Sequence, residues 1–149
     1  MEFRSILVLC HGNICRSPLA AALLDQTLPS SEVASAGLGA VVGSDVDPLM
    51  REVAEARGLE CPRHEARMFT VEQGRASDLI LVMERGQRDH IARAFPEVSG
   101  KVMLLGHWIG EAEIPDPHRR DRARYEQACT LLEQACSAWA KKLNPGATG

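Results

Sequence analysis

Aliphatic runs alternate with amphipathic stretches along the chain, and the alternation predicts its elements. Phe3–Leu9 (FRSILVL) is rich in β-formers and runs into Cys10-His11-Gly12, the pattern of a buried strand. Ser17-Pro18 reads as an N-cap with Pro at the first helical position, and Leu19 to Leu28 carries Ala and Leu at helical spacing. Ser31–Ala36 predicts a second strand, followed by a Gly-rich loop from Gly37 to Gly43. Asp47-Pro48 repeats the cap-then-Pro signal and opens a helix through Leu49, Val53 and Ala56 that stops at Gly58. Ser77–Met83 contains the second strong aliphatic strand, Glu84 to Phe95 a helix ending before Pro96, and Lys101–Leu105 a further short strand. A polar loop carries Ile114-Pro115-Asp116-Pro117. The longest helix then runs from about Arg119 to Leu143, with Ala128, Leu131, Leu132, Ala135, Ala138 and Trp139 on one apolar face and Asn144-Pro145-Gly146 as its stop. This order predicts one α/β domain over residues 1–149, a mainly parallel sheet with helices on both faces.

Composition narrows the function classes. A chain of 149 residues, 45% hydrophobic and 25% charged, is long enough for one real core and has no disordered signature. The net charge of −3 and 4% aromatic content argue against a general nucleic-acid binder, which needs a basic footprint or stacking platforms. Five cysteines without a tight framework read as thiols in a reducing compartment. The apolar run Ile6–Leu9 is too short for a signal-peptide core or a membrane span, so a cytoplasmic location without membrane insertion is expected.

The chemistry concentrates in Cys10-His11-Gly12-Asn13-Ile14-Cys15-Arg16-Ser17-Pro18. In a parallel sheet, ligands sit beyond the carboxyl ends of strands, against helix N-termini. A loop with a cysteine at its strand end and an arginine at its helix start can turn successive N–H groups inward, making an anion nest backed by the helix dipole. Gly12 lets the backbone turn without a side-chain clash. Inward amides, a helix N-terminus and a guanidinium favour the thiolate of Cys10. Arg16 can grip two phosphoryl oxygens with its fork, Ser17 can donate to the thiolate, and the Asn13 amide can tie the loop together. The set suits a nucleophile in an oxyanion cradle that forms a cysteinyl-phosphate. A nucleotide P-loop is excluded because no G-K-[ST] follows, and zinc binding by Cys10, His11 and Cys15 lacks a fourth ligand at useful spacing.

This segment resembles the signature of low-molecular-weight protein tyrosine phosphatases, including the second cysteine and the trailing Ser-Pro. The resemblance continues through Ser35-Ala36-Gly37-Leu38, Leu81-Val82-Met83-Glu84, Gly106-His107-Trp108 and Ile114-Pro115-Asp116-Pro117, over nearly the whole chain. It is nearest the bacterial branch associated with capsule and exopolysaccharide synthesis, the Wzb-type enzymes. The resemblance implies a three-layer sandwich around a four-stranded parallel sheet. It also implies a protein-tyrosine-phosphatase that needs no metal or organic cofactor, with Cys10, Arg16 and Asp116 as catalytic residues. His11, Gly12, Asn13, Ile14, Cys15 and Ser17 complete the phosphate-binding loop. Asp116 is the expected proton donor to a tyrosine leaving group, in a loop whose freedom Pro115 and Pro117 restrict. The implied partner is a phosphotyrosine protein, the cytoplasmic tail of a membrane-bound bacterial tyrosine kinase; a monomer is the default expectation for the chain itself. Cys15 is implied as a redox guard that forms a reversible disulfide with Cys10. His11 and Leu38 are expected at the substrate slot. So is His118, which stands where relatives commonly carry tyrosine.

Other features are read more plainly. Arg119, Arg120, Arg122 and Arg124 form either a solvated helix face or a patch that steers acidic, phosphorylated tails to the pocket. Cys129 and Cys136 are expected in the core, His64, His90 and His107 as structural or surface histidines, and Cys61 has no assigned role. An arsenate reductase of the same fold would need a redox cysteine pair near the third strand, yet residues 76–95 contain no cysteine. A non-catalytic phosphotyrosine binder finds no support, because Cys10, Arg16 and Asp116 are all present.

Overall fold

The computed structural model describes residues 3–144. Four strands, β1 (Ser5–Cys10), β2 (Glu32–Gly37), β3 (Leu79–Val82) and β4 (Val102–Leu104), form one parallel sheet in the order β2-β1-β3-β4. The helices are α1 (Arg16–Thr27), α2 (Pro48–Ala56), α3 (Val71–Ala76), α4 (Arg85–Ala94) and α5 (Arg122–Leu143). The chain leaves β1 for β2 on one side and returns to β3 on the other. The carboxyl end of β1 is therefore the point where strand order reverses, and Cys10 stands there.

The period-two alternation of β1 and β3 divides the core into two layers. Ile6, Val8 and Cys10, with Leu79, Leu81 and Met83, face α1, α2 and α5. Leu7 and Leu9, with Ile80 and Val82, face the other way, toward Phe69, Ile91 and Val98. Both faces of the central strands are covered, which explains why they read as continuous aliphatic runs.

Four local outcomes differ from the sequence expectation. Helix α1 begins at Arg16 with Cys15 as N-cap, because the Ser17 hydroxyl is engaged with the cysteine loop and does not cap. Helix α5 begins at Arg122, where Asp121 accepts from the Arg124 N–H; Arg119 before it has a positive φ of 63° and cannot continue a helix. Helix α3 was not expected, although Thr70 and Gln73 form a reciprocal capping box that marks it. A 3-10 turn, Pro96–Lys101, joins α4 to β4. The buried stripe of α5 runs through Tyr125, Cys129, Cys136 and Ala140 as well as Ala128, Leu132, Ala135 and Trp139, leaving Leu131 and Ala138 half-buried. Pro145 and Gly146 of the expected stop lie outside the described residues.

Beyond β4 the chain closes on itself before entering the Asp116 loop. Gly106 bridges Ala112 antiparallel, and the Ala112 N–H donates to the Gly106 carbonyl at 3.1 Å. A Cβ at Gly106 would overlap the Ala112 carbonyl oxygen. Two residues further on, Ile114 is buried and its N–H donates to the Met83 carbonyl at 3.0 Å, tying the loop to the end of β3. Gly106→Ala is therefore expected to lower stability by about 1–3 kcal/mol, the usual cost of overpacking. Urea unfolding measures this; an unchanged midpoint would show that the bridge yields freely.

Candidate active site

Five consecutive carbonyls shape the loop between β1 and α1. The Cys10, His11 and Gly12 carbonyls accept from the N–H groups of Leu38, Gly39 and Val41 at 3.0, 2.9 and 3.0 Å. The Asn13 carbonyl meets His64 Nε2 at 2.7 Å, and the Ile14 carbonyl accepts from the Asp47 N–H at 2.7 Å. With these five carbonyls engaged by surrounding chain, none is left to oppose an anion in the hollow, as an anion nest requires. The approach is close: a Cβ at Gly37 would lie 2.6 Å from the His11 carbonyl oxygen.

Asn13 takes the one left-handed conformation in the loop, with φ of 57°, which asparagine tolerates better than most residues. Its buried amide donates to the hydroxyls of Ser17 at 2.9 Å and Ser35 at 3.0 Å, while its oxygen accepts from the Arg67 N–H at 3.0 Å. Ser17 in turn lies 2.8 Å from Cys10 Sγ. Strand β2, the 60s loop and α1 thus all meet at one side chain, and the thiol is oriented through it.

Arg16 is among the largest fully buried side chains, 2% exposed. Its Nη1 donates to the Ile114 carbonyl at 2.8 Å and pairs with Glu84, the N-cap of α4; its Nη2 lies 3.7 Å from Asp116 Oδ2. Among the described residues its Nε is the one buried side-chain nitrogen or oxygen without a hydrogen-bond partner. A buried charged donor without an acceptor is costly unless a ligand supplies one.

A hollow of about 140 Å³ is lined by Cys10, His11, Gly12, Ile14, Cys15, Arg16, Gly39, Val41, Asp116 and His118. The loop, the arginine and the aspartate meet there, as the sequence predicts. A larger cavity of about 410 Å³ lies behind the loop against Cys61, His64 and Arg67, and contains none of Cys10, Arg16 or Asp116. No group of three or more metal-ligating side chains occurs among the described residues. No helix among them is long and apolar enough to cross a membrane.

The profile of the family described as "Low molecular weight phosphotyrosine protein phosphatase" matches residues 5–147. The chain belongs to this family. It is 49% identical over 142 residues to the low molecular weight protein-tyrosine-phosphatase Wzb of Salmonella typhimurium, covering 95% of each chain. Among solved structures, the tyrosine phosphatase Wzb from Escherichia coli K30 in complex with sulphate matches with a TM-score of 0.93 and 46% identity, over 96% of this chain and 100% of that one. Vibrio vulnificus Wzb in complex with benzylphosphonate matches at 0.91 and 40% identity, over 95% and 100%. The chain is a protein-tyrosine-phosphatase of the Wzb type, and the arsenate reductase alternative is not favoured.

Several residues of this phosphatase stand differently from expectation. Leu38 does not line the hollow: its N–H binds the Cys10 carbonyl, and its side chain packs against the layer containing Leu7 and Leu9, leaving Val41 and Ile14 as the apolar wall. His64 is a structural histidine, as expected, and what it holds is the Asn13 carbonyl. Glu84 and Asp47 were not singled out by spacing. The cap positions of α4 and α2 were the available signal, because a helix N-terminus beside a parallel-sheet edge points its capping acid toward the site. Cys129 and Cys136 are buried, as expected. Burial, then the neighbouring Cys10 and two carboxylates, push the Cys15 thiol far up, so it remains protonated.

Asp47 joins three parts of the site. Its Oδ1 accepts from the Leu49 N–H, and its Oδ2 accepts from the Tyr125 hydroxyl at 2.6 Å and faces His118 Nδ1 at 3.2 Å. Burial opposes ionisation and is the largest single influence, but the hydrogen bonds from Tyr125, His118 and Leu49 together hold Asp47 below its ordinary pKa. A carboxylate depressed in the folded state adds stability above its unfolded pKa and loses it as pH falls through the folded value. Asp47→Asn is therefore expected to cost about 1–3 kcal/mol near neutrality, with the gap to wild type narrowing well below about pH 4. Unfolding curves at several pH values check this; a pH-independent gap would remove the charge from the explanation.

Proposed function

We propose that this phosphatase hydrolyses phosphotyrosine through a cysteinyl-phosphate, with Cys10 as nucleophile, Arg16 as phosphate clamp and Asp116 as general acid and base. The observation that carries the reading is the buried Arg16 Nε–H without an acceptor, in the hollow that also holds Cys10 and Asp116. A phosphoryl oxygen supplies that acceptor, and the N–H groups of residues 11–17 supply further donors to the equatorial oxygens. The Cys10 thiolate attacks phosphorus in line; the S–P bond forms as the ester P–O bond breaks, and Asp116 gives its proton to the leaving phenolate. The Asp116 carboxylate then takes a proton from water as that water attacks phosphorus. The S–P bond breaks, phosphate leaves, and the Ser17 hydroxyl stabilises the departing thiolate.

His11, Gly12, Asn13, Ile14, Cys15 and Ser17 complete the phosphate loop, and His11, Val41 and His118 border the ring of the substrate. The proposed substrate is the phosphorylated cytoplasmic tail of a membrane tyrosine kinase governing polysaccharide export, acted on by a cytoplasmic monomer. Similarity to Wzb phosphatases supports the phosphotyrosine part of this reading. Purified wild type should turn over an aryl phosphate without added metal. Cys10→Ser should abolish turnover, and Asp116→Asn should lower kcat by about 10²–10⁴-fold, the usual contribution of general acid catalysis. Turnover surviving in Cys10→Ser would sink the mechanism, and failure to release phosphate from phosphorylated tail peptides would sink the substrate.

Cys15 is proposed as the guard of Cys10. Peroxide oxidises the Cys10 thiolate to a sulfenic acid, releasing hydroxide, and the Cys15 thiol condenses with it to a disulfide and water. Peroxide-inactivated wild type is expected to recover with dithiothreitol, whereas Cys15→Ser should pass to irreversible sulfinic acid. Equal recovery of both proteins would refute the guard.

A further inference from the structure

The four arginines after the acid loop are not equivalent. Arg122 is neutralised by Glu52 at 2.9 Å and Glu126 at 3.3 Å. Arg120 and Arg124 make no ion pair among the described residues; the one side-chain partner of Arg124 is the neutral Gln127 amide at 3.4 Å. Both line a second hollow, of about 170 Å³, with Pro115, Asp116, Pro117, Gln127 and Ala128. Asp116 is a wall of this hollow and of the phosphate hollow, so the two are neighbours.

The acids nearby are turned to other tasks. Asp121 accepts from the Arg124 N–H at the start of α5. Asp116 Oδ1 accepts from the His118 N–H at 3.0 Å, and its Oδ2 faces Arg16. The Arg120 backbone is fixed by donation to the Pro117 carbonyl at 2.8 Å. Two guanidinium forks without ion-pair partners thus border one small concavity, whose one carboxylate, Asp116, stands in a wall stiffened by two prolines. On a chain of net charge −3, that is a local reversal of sign at the rim of the active site.

We propose that Arg120 and Arg124 form a second anion subsite, which takes a phosphoryl or carboxylate side chain next to the phosphotyrosine in the same substrate polypeptide. This rests on the phosphotyrosine reading above and sharpens it: the preferred substrate is locally polyanionic. The forks match both anions in geometry. Because both side chains are exposed, the gain is modest and sensitive to salt.

The test uses three peptides of one sequence, each with a phosphotyrosine and with neighbours that are alanine, glutamate or a second phosphotyrosine. Wild-type kcat/KM is expected to rise about fivefold from the alanine peptide to the anionic ones, mainly through KM, the size of an exposed charge contact. In Arg120→Gln/Arg124→Gln that ratio should fall toward one, while Arg122→Gln should keep it. A gain for both anionic peptides assigns a general anion subsite; a gain for the second phosphotyrosine alone assigns a phosphoryl site. A wild-type ratio of one, or a ratio retained in the double variant, overturns the proposal. Binding of the same peptides to Cys10→Ser gives the ratio without turnover, so failure of the subsite is separable from failure of the chemistry, which an aryl phosphate reports.

Discussion

A loop that binds an anion through its backbone must keep its own carbonyls away from the ligand, and nothing in the residues from Cys10 to Ile14 enforces that alone. The outward hydrogen bonds do. Acceptors that would otherwise repel a phosphoryl group are consumed by Leu38, Gly39, Val41, His64 and Asp47, which come from three separate stretches of chain. Each bond is worth about 1 kcal/mol net, but together they convert a flexible segment into a preorganised cradle. Preorganisation matters more to catalysis than their sum, because donors already aimed at developing charge need no reorganisation during the reaction.

The same logic governs the charged groups. Arg16 is buried, pinned by Glu84 and by the Ile114 carbonyl, so its fork is oriented before any substrate arrives. Glu84 is the N-cap of α4 and Ile114 opens the acid loop, so the guanidinium links the sheet edge to the segment carrying Asp116. Asp47 does parallel work through Tyr125 of α5 and His118. His118 therefore does more than line the hollow: its imidazole is a partner of the carboxylate that caps α2.

Some elements were legible because their signal is local. The aliphatic runs of β1 and β3, the Asp47-Pro48 start of α2 and the Cys10 to Pro18 segment carry their meaning within a few residues. Other features were obscured by competition. Ser17-Pro18 looks like a cap and first helical residue, yet Ser17 has better partners in Cys10 and Asn13, so the helix begins earlier. The Thr70-Gln73 box was present but marked a helix too short to show an apolar period. Leu38 follows the closing glycine of β2, where a side chain can turn to either layer, and packing chose the one away from the site.

By itself, the sequence marked Cys10, Arg16 and Asp116 as the candidate residues and determined the parallel α/β frame, since strand and helix periods and a contiguous loop are properties of neighbouring residues. Tertiary structure alone decided which groups hold those residues in place. His64 reaches Asn13 across 51 positions, Glu84 reaches Arg16 across 68 and Tyr125 reaches Asp47 across 78. It also separated Arg122 from Arg120 and Arg124, which the sequence shows only as one basic run. Whether a charge is neutralised depends on the carboxylate folded against it, and no spacing along the chain contains that distance.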